Sequence, residues 1–317
     1  MTRSLTSTLF VVAGTAAIAG AASSPFGEAG EDNSHLLTEG TGGTAELPET
    51  IELMGVVRDF RADHPDFQRQ PKRADGRGAF GHYYGMVQPA LDDEGKPVWA
   101  SGGHRLSGQW KNSSSKNILP NHAAYDYYDA MPGDKTGSGE SSPGSATTSA
   151  ETFAEWYRDV PGQNVSIPMP ITLRYDASNN KYVFDDRSDP VYSGLGGFFP
   201  INGEGYGDYS GGKNFHFTFE LDTEFTYTEG VDQTFLFNGD DDVWVFIDGK
   251  LVVDIGGVHG RVEQRVELDR LNWLENGETY SLKFFFAERH TTQSNFRMET
   301  NFVLRNVQVA QASGLHD

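Results

Sequence analysis

The 317 residues contain no cysteine, so no disulfide can brace this chain and no thiolate can act as a nucleophile or metal ligand. Basic side chains are scarce. With 25 Lys and Arg against 45 Asp and Glu the formal charge is −20, which repels nucleic acid and anionic lipid surfaces and excludes polyanion binding as the main task. Also absent are a G-x-S-x-G elbow, an HExxH pair, paired His at zinc-ligand spacing and a phosphate-binding glycine loop between strand and helix. A glycosidase needs two carboxylates flanking a bond at roughly 5–10 Å separation, which adjacent aspartates do not supply by themselves. We therefore expect a non-catalytic chain. No repeat of 20–50 residues is present, which removes propellers and solenoids.

What is abundant points to strands. Gly at 37 residues, Phe at 21 and Tyr at 13 suit many short strands joined by tight turns. The segment Phe215-His216-Phe217-Thr218-Phe219-Glu220-Leu221 alternates, placing Phe215, Phe217, Phe219 and Leu221 on one face. Further strands are expected at Gln233–Phe237, Val243–Ile247, Lys250–Ile255 and Tyr280–Ala287, with Asp248-Gly249 as a two-residue hairpin turn. Thr148 with Glu151 forms a capping box before Phe153, Trp156 and Tyr157, which predicts one short amphipathic helix. Without repeated βα units, these elements favour an all-β chain, an antiparallel β-sandwich with long loops.

The N-terminus, MTRSLTSTLFVVAGTAAIAGAASS, carries Arg3, an apolar stretch from Leu9 and the small residues Ala19-Gly20-Ala21, and reads as a signal peptide over residues 1–21. A polar linker follows over 22–47. One folded domain is expected over 48–311, with a flexible insertion at 133–150, where GDKTGSGESSPGSATTSA is too polar to order itself, and a tail at 312–317. No second apolar segment follows, so the expected location is secreted, without membrane insertion after cleavage.

The chemistry concentrates in FNGDDDVWVFIDGKLVVDIGGVHG, Phe237 to Gly260, where Asp240, Asp241 and Asp242 precede an aromatic and β-branched run. Adjacent carboxylates on an extended strand point to opposite faces, so an irregular backbone, such as a cis Asp-Asp peptide, is needed to bring two to one point. A divalent cation would offset their repulsion, and calcium, with six to eight oxygen ligands, suits them. Taken alone, the run also reads as a solvated acidic turn. His259 reads as a turn-capping residue or a site residue, and Glu288-Arg289 as an internal pair at a strand end or as part of a site. Trp110, Tyr206, Tyr209 and Trp273 have flat faces that suit sugar rings, although anchoring of loops is the commoner fate of such residues. Asn112-Ser113-Ser114 and Asn164-Val165-Ser166 are glycosylation sequons.

GDDDVWVFIDGKLVVDIGGVH together with FFFAERHTTQSNFRMETNF resembles the fibro-slime domain. MGVVRDFRADHPDFQ, GGFFPINGEGYGD and NFHFTFELDTEFTY are similar to other segments of that family, so the resemblance covers most of the chain after Pro48. The family is related to the β-sandwich domain named after anthrax protective antigen, found in flocculins, adhesins and, as an accessory insertion, in glycosidases. The resemblance implies that fold. In the lectin-like members a cis-linked Asp pair holds calcium, which coordinates sugar hydroxyls; aligned on Ile247-Asp248-Gly249, the pair falls on Asp240 and Asp241. Those members carry a further Asn ligand where this chain has Glu288, a departure that keeps metal binding but leaves fewer open positions. The implied metal ligands are Asp240, Asp241 and Glu288, with Asp242, His259, Arg289 and His290 around the ligand. The implied function is a calcium-dependent carbohydrate-binding adhesion module with a glycan partner; the alternative is a matrix protein whose ion only stabilises the fold.

Overall fold

The computed structural model describes residues 47–68 and 80–307. The expected leader and most of the linker, as well as the tail, lie outside the described residues. From Pro48 the described chain forms one compact unit.

The long strands follow runs of apolar and β-branched residues, while short ones such as β6 and β16 are set by pairing alone. They are β1 (Thr50–Phe60), β2 (Tyr83–Tyr84), β3 (Val87–Leu91), β4 (Pro97–Trp99), β5 (His104–Gly108), β6 (Ser138–Gly139), β7 (Asn164–Asp176) and β8 (Lys181–Asp185). Then follow β9 (Phe217–Thr226), β10 (Thr234–Gly239), β11 (Asp242–Ile247), β12 (Lys250–Ile255), β13 (Val262–Glu267), β14 (Thr279–Glu288), β15 (Phe296–Thr300) and β16 (Arg305–Asn306). The main sheet runs in the order β13-β10-β15-β8-β7-β1-β9-β14-β11-β12-β3-β4, with β16 beside β9, and its ladders are antiparallel.

Two residues connect β10 to β11, yet these strands are far apart in that order. So short a link reaches only if the sheet folds over and its two halves face each other, which is the expected antiparallel sandwich. Between the halves, Phe237 of β10 meets Phe284 of β14 at 5.6 Å, and Phe296 of β15 meets Phe286 of β14 at 5.3 Å and Phe219 of β9 at 6.0 Å. Each such ring pair contributes about 0.5–1.5 kcal/mol beyond its burial.

β11 is buried at every position, because both of its faces are covered. Trp244 meets Trp156 at 6.1 Å and Phe153 at 5.6 Å, and Phe285 of the neighbouring β14 meets Tyr157 at 4.9 Å. These partners belong to the expected helix, α1 (Ala150–Ala154), and the turn after it. Its cap differs from the sequence expectation by one residue: Ser149 and Thr152 form the capping box, because Asp66 Oδ1 takes the Thr148 N–H at 2.6 Å. A second short helix, α2 (Tyr192–Leu195), was not expected; it buries none of its residues and so leaves no apolar periodicity to read.

Asp248 and Gly249 both have positive φ, as the expected hairpin turn between β11 and β12 requires. Residues 133–150, expected as a flexible insertion, carry β6, and Gly144 and Ala146 donate N–H bonds to Gly103 and Gly102 carbonyls. Backbone pairing, invisible in composition, holds this polar segment.

Candidate functional site

Three links between the two halves of the sandwich leave from one end. Asp240-Asp241 joins β10 to β11, residues 256–261 join β12 to β13, and residues 289–295 join β14 to β15. Each brings backbone N–H groups that have lost their ladder partners, and the aspartates accept from them. Asp240 takes the Asn295 N–H at 2.5 Å and the Asn295 side-chain amide at 2.7 Å. Asp241 takes His259 N–H at 3.1 Å through Oδ1 and Arg289 N–H at 3.3 Å through Oδ2. Asp242 takes Gly257 N–H at 2.5 Å. The Asp240–Asp241 peptide is cis, as the convergence of the two carboxylates anticipated.

Asp242 and Arg289, both fully buried, form the ionic centre of this end, with Nε to Oδ2 at 2.6 Å and Nη2 to Oδ1 at 3.2 Å. The other guanidinium nitrogen, Nη1, donates to Ala146 O at 2.8 Å and Asp66 O at 3.2 Å, and the group lies 5.0 Å from the Trp156 ring centroid. Burial works against its charge, but Asp242 outweighs burial and holds Arg289 protonated. The internal Glu288–Arg289 pair that the sequence allowed does not form: Arg289 pairs with Asp242 instead.

Among the described residues, Asp240, Asp241 and Glu288 have no such ion-pair partner. Asp240 is 3% exposed, Asp241 4% and Glu288 0%. Burial raises Asp241 well above the ordinary carboxylate range, and the neighbouring Asp242 raises it further. Glu288 is likewise pushed well up, by burial first and then by Asp241 and Asp240. Asp240 is raised by burial, against the opposing bonds from Asn295. Glu288 Oε1 accepts the His290 N–H at 3.4 Å, but Oε2 is buried with no hydrogen-bond partner. The Ser294 hydroxyl, which could reach this acid, directs its proton to Phe198 O at 2.7 Å. Among the described residues, no three His, Asp or Glu side chains already stand at metal-ligand spacing.

All seven expected site residues thus gather at this end, in different ways. His259 and His290 contribute N–H groups while their rings turn elsewhere. The His259 ring lies 5.0 Å from His82, with Nδ1 on Gly260 O, and burial lowers its pKa. The His290 ring takes up Gln68 at 3.1 Å, and the Gln68 carbonyl oxygen meets His216 at 3.0 Å. Sequence reasoning missed Asn295, which lies one residue before β15 and binds Asp240 with both backbone and side chain. The Asn that the resemblance implied in a later strand was the available signal. Of the four aromatic candidates Tyr209, 51% exposed, is the most open to solvent; Trp110 is buried, and Trp273 and Tyr206 are half-buried with Lys250 and Arg61 over them. Both sequon side chains are engaged, Asn112 with Glu267 and Lys116 and Asn164 with Val160, Glu155 and Arg158, which closes them to modification in the folded chain.

The PA14 domain matches residues 204–310, a span that holds the carboxylate cluster. Protein psiD of Dictyostelium discoideum is 39% identical over 267 residues, covering 80% of this chain and 42% of that protein. Protein psiR of the same organism is 37% identical over 276 residues, covering 82% of this chain and 22% of its own length. Protein psiH is 45% identical over 149 residues, 44% of this chain and 19% of that protein. The chain therefore spans less than half the length of these curated relatives. Among solved structures, the Kluyveromyces marxianus β-glucosidase in complex with glucose aligns at a TM-score of 0.22 and 12% identity, over 32% of this chain and 12% of that one. The GH31 α-xylosidase of Xanthomonas citri aligns at 0.24 and 12% identity, over 69% and 21%. At such scores neither bears on the site. Among the described residues no helix is long and apolar enough to cross a membrane.

Proposed function

We propose that this chain is an extracellular adhesion module of the fibro-slime type that binds calcium at Asp240, Asp241 and Glu288 and takes carbohydrate as its ligand. One observation carries the cation: three buried carboxylates share one end of the sandwich, the neighbouring guanidiniums of Arg289 and Arg261 are committed to Asp242 and Asp186, and among the described residues Glu288 Oε2 lacks a hydrogen-bond partner. A buried carboxylate is either neutralised by a proton, as the raised pKa values describe, or by a cation. The donor set consists of hard oxygens from acids and nearby loop carbonyls, which fits calcium rather than a softer metal. An ion arriving there would displace protons from acids that are reluctant to ionise, so its affinity should rise with pH. Calcium supplies coordination positions that glycan hydroxyls can fill.

The match to the PA14 domain and the implied kinship with adhesins support the carbohydrate ligand. The reading is of a non-catalytic module in which Asp240 and Asp241 also accept the backbone N–H groups that tie the three links together. A second reading, a matrix protein with a purely structural ion, is favoured by the burial of all three acids.

Calorimetric titration of the chain with calcium chloride tests the site, beside the double variant Asp240→Ala/Asp241→Ala. A saturable heat in the parent that is absent in the variant supports the assignment; equal heats in both overturn it. Glycan-array binding with calcium and with EDTA separates the readings. Capture that needs calcium supports the adhesion module. Calcium binding without any glycan capture supports the structural ion.

A further inference from the structure

We propose that the cleft between the end of β1 and the loop Tyr206–Tyr209 is a binding subsite for one neutral hexopyranose ring, stacked on Tyr209 and independent of any cation. It rests on the reading that the module takes carbohydrate, but not on the calcium site.

The open cleft offers about 280 Å³, just below the range for small-molecule pockets and room for one sugar ring. Tyr209 stands at its wall half exposed, with the edge-on ring of His216 at 4.8 Å. Arg61, also in the lining, lies over Tyr206 with its guanidinium carbon 4.0 Å from the ring centroid, and among the described residues its guanidinium makes no hydrogen bond or ion pair. Asp63 and Asp208 are exposed beside it. Burial, and then His290, lower the His216 pKa to about 4, so its imidazole is neutral.

The loop that carries Tyr209 is firmly positioned. Buried Asp59 accepts the Tyr206 N–H and the Asn214 amide, the latter at 2.7 Å, while Asn214 Oδ1 accepts His216 N–H at 2.9 Å. Asp208 takes Gly203 N–H at 2.8 Å. Gly205, at φ +55°, lets the chain pass so close to Asp59 that a Cβ there would stand 2.2 Å from Oδ2. A loop pinned this tightly through a buried carboxylate, which nevertheless leaves a tyrosine face in water, is preorganised to hold something against that face.

The chemistry of the lining selects the occupant. An anion meets two carboxylates, a cation meets the guanidinium, and a neutral polyol satisfies both. Its hydroxyls accept from Arg61 and donate to Asp63, while its C–H face covers the Tyr209 ring.

Saturation-transfer NMR on the whole chain in excess EDTA, with methyl glucosides, mannosides, galactosides and N-acetylglucosaminides as probes, tests this. We expect ring-proton saturation for at least one glycoside. Tyr209→Ala should weaken that glycoside about tenfold and Tyr209→Phe less than threefold, both unfolding at the parent temperature. Absence of any signal in EDTA overturns the subsite, as does a Tyr209→Ala chain that binds equally well. Signal that appears only with calcium and vanishes in Asp240→Ala/Asp241→Ala also overturns it, while upholding the calcium site. Signal in EDTA that Tyr209→Ala removes and calcium does not change upholds the subsite and argues against a calcium-mediated sugar contact.

Discussion

The carboxylate cluster and the Tyr209 cleft are joined through Gln68, whose amide bridges His290 beside the cluster and His216 in the cleft, yet they handle charge in opposite ways. In the cluster three acids are buried while the guanidiniums beside them serve other acids, Arg289 holding Asp242 and Arg261 holding Asp186. In the cleft one guanidinium and two acids stand in water, where their charge costs little. Burial makes the first a place for an ion, because only a proton or a metal can neutralise acids that water cannot reach. Exposure makes the second a place for a neutral ring, because its charges need no partner and its aromatic face is open.

The comparison breaks first if the paired and unpaired acids prove alike. Removing Arg289, as Arg289→Met, strands Asp242 beside three further acids and should cost about 3–5 kcal/mol in urea denaturation. A cost below about 1 kcal/mol would show that Asp242 needs no counter-charge.

Asp254 offers a pH readout of the buried side. Burial raises its pKa from 3.8 to about 7, against bonds from Gly85 and Trp244. Between those values the folded chain holds a proton that the unfolded chain has released. The stabilisation is therefore complete below about pH 4 and is lost as pH rises through 7, at up to about 1.4 kcal/mol per pH unit. Asp254→Asn should flatten that part of a stability–pH curve. The raised acids of the cluster add a slope of the same sign in the metal-free chain, and saturating calcium should remove their share alone.

Calcium at about a hundred times its dissociation constant should stabilise the parent by about 2.7 kcal/mol, read as a rise in unfolding temperature that Asp240→Ala/Asp241→Ala abolishes. On the exposed side, Gly205→Ala should cost about 1–2 kcal/mol in the same assay, from the left-handed backbone it must adopt and its approach to Asp59. The smallest effect sharpens the contrast most: Tyr209→Ala should change stability by less than about 0.5 kcal/mol, as at any surface position, while weakening glycoside binding.

The strands that ring the site were legible because their patterns are local. Val243–Ile247 and Lys250–Ile255, with Asp248-Gly249 between them, announce a hairpin through β-branched runs and a turn that accepts positive φ. The alternation from Phe215 was legible too, though β9 starts at Phe217, after Asn214 and His216 have tied the preceding residues to β1. β1 and β7, which pair along eleven residues, left less trace, since Met54 and Val165 are exposed beside buried neighbours and Pro168 and Pro170 interrupt the pattern. The acids of the cluster could be named from their spacing. Asp66 could not, because it is distant in sequence and meets the site only where Arg289 reaches its carbonyl, and the bonds of Asn295 to Asp240 appear only once the links between sheets meet.

By itself, then, the sequence determined that this chain is an antiparallel β protein with three adjacent aspartates before one hairpin, since strand periodicity, turn chemistry and charge are properties of neighbouring residues. Only the tertiary structure decided which acid Arg289 neutralises, that Glu288 keeps an unpartnered oxygen, and that Tyr209 is the most open to water of the candidate aromatics. Those outcomes depend on which links the folded sheet brings to one end and on what covers each group, and burial and pairing are set by residues more than two hundred positions away.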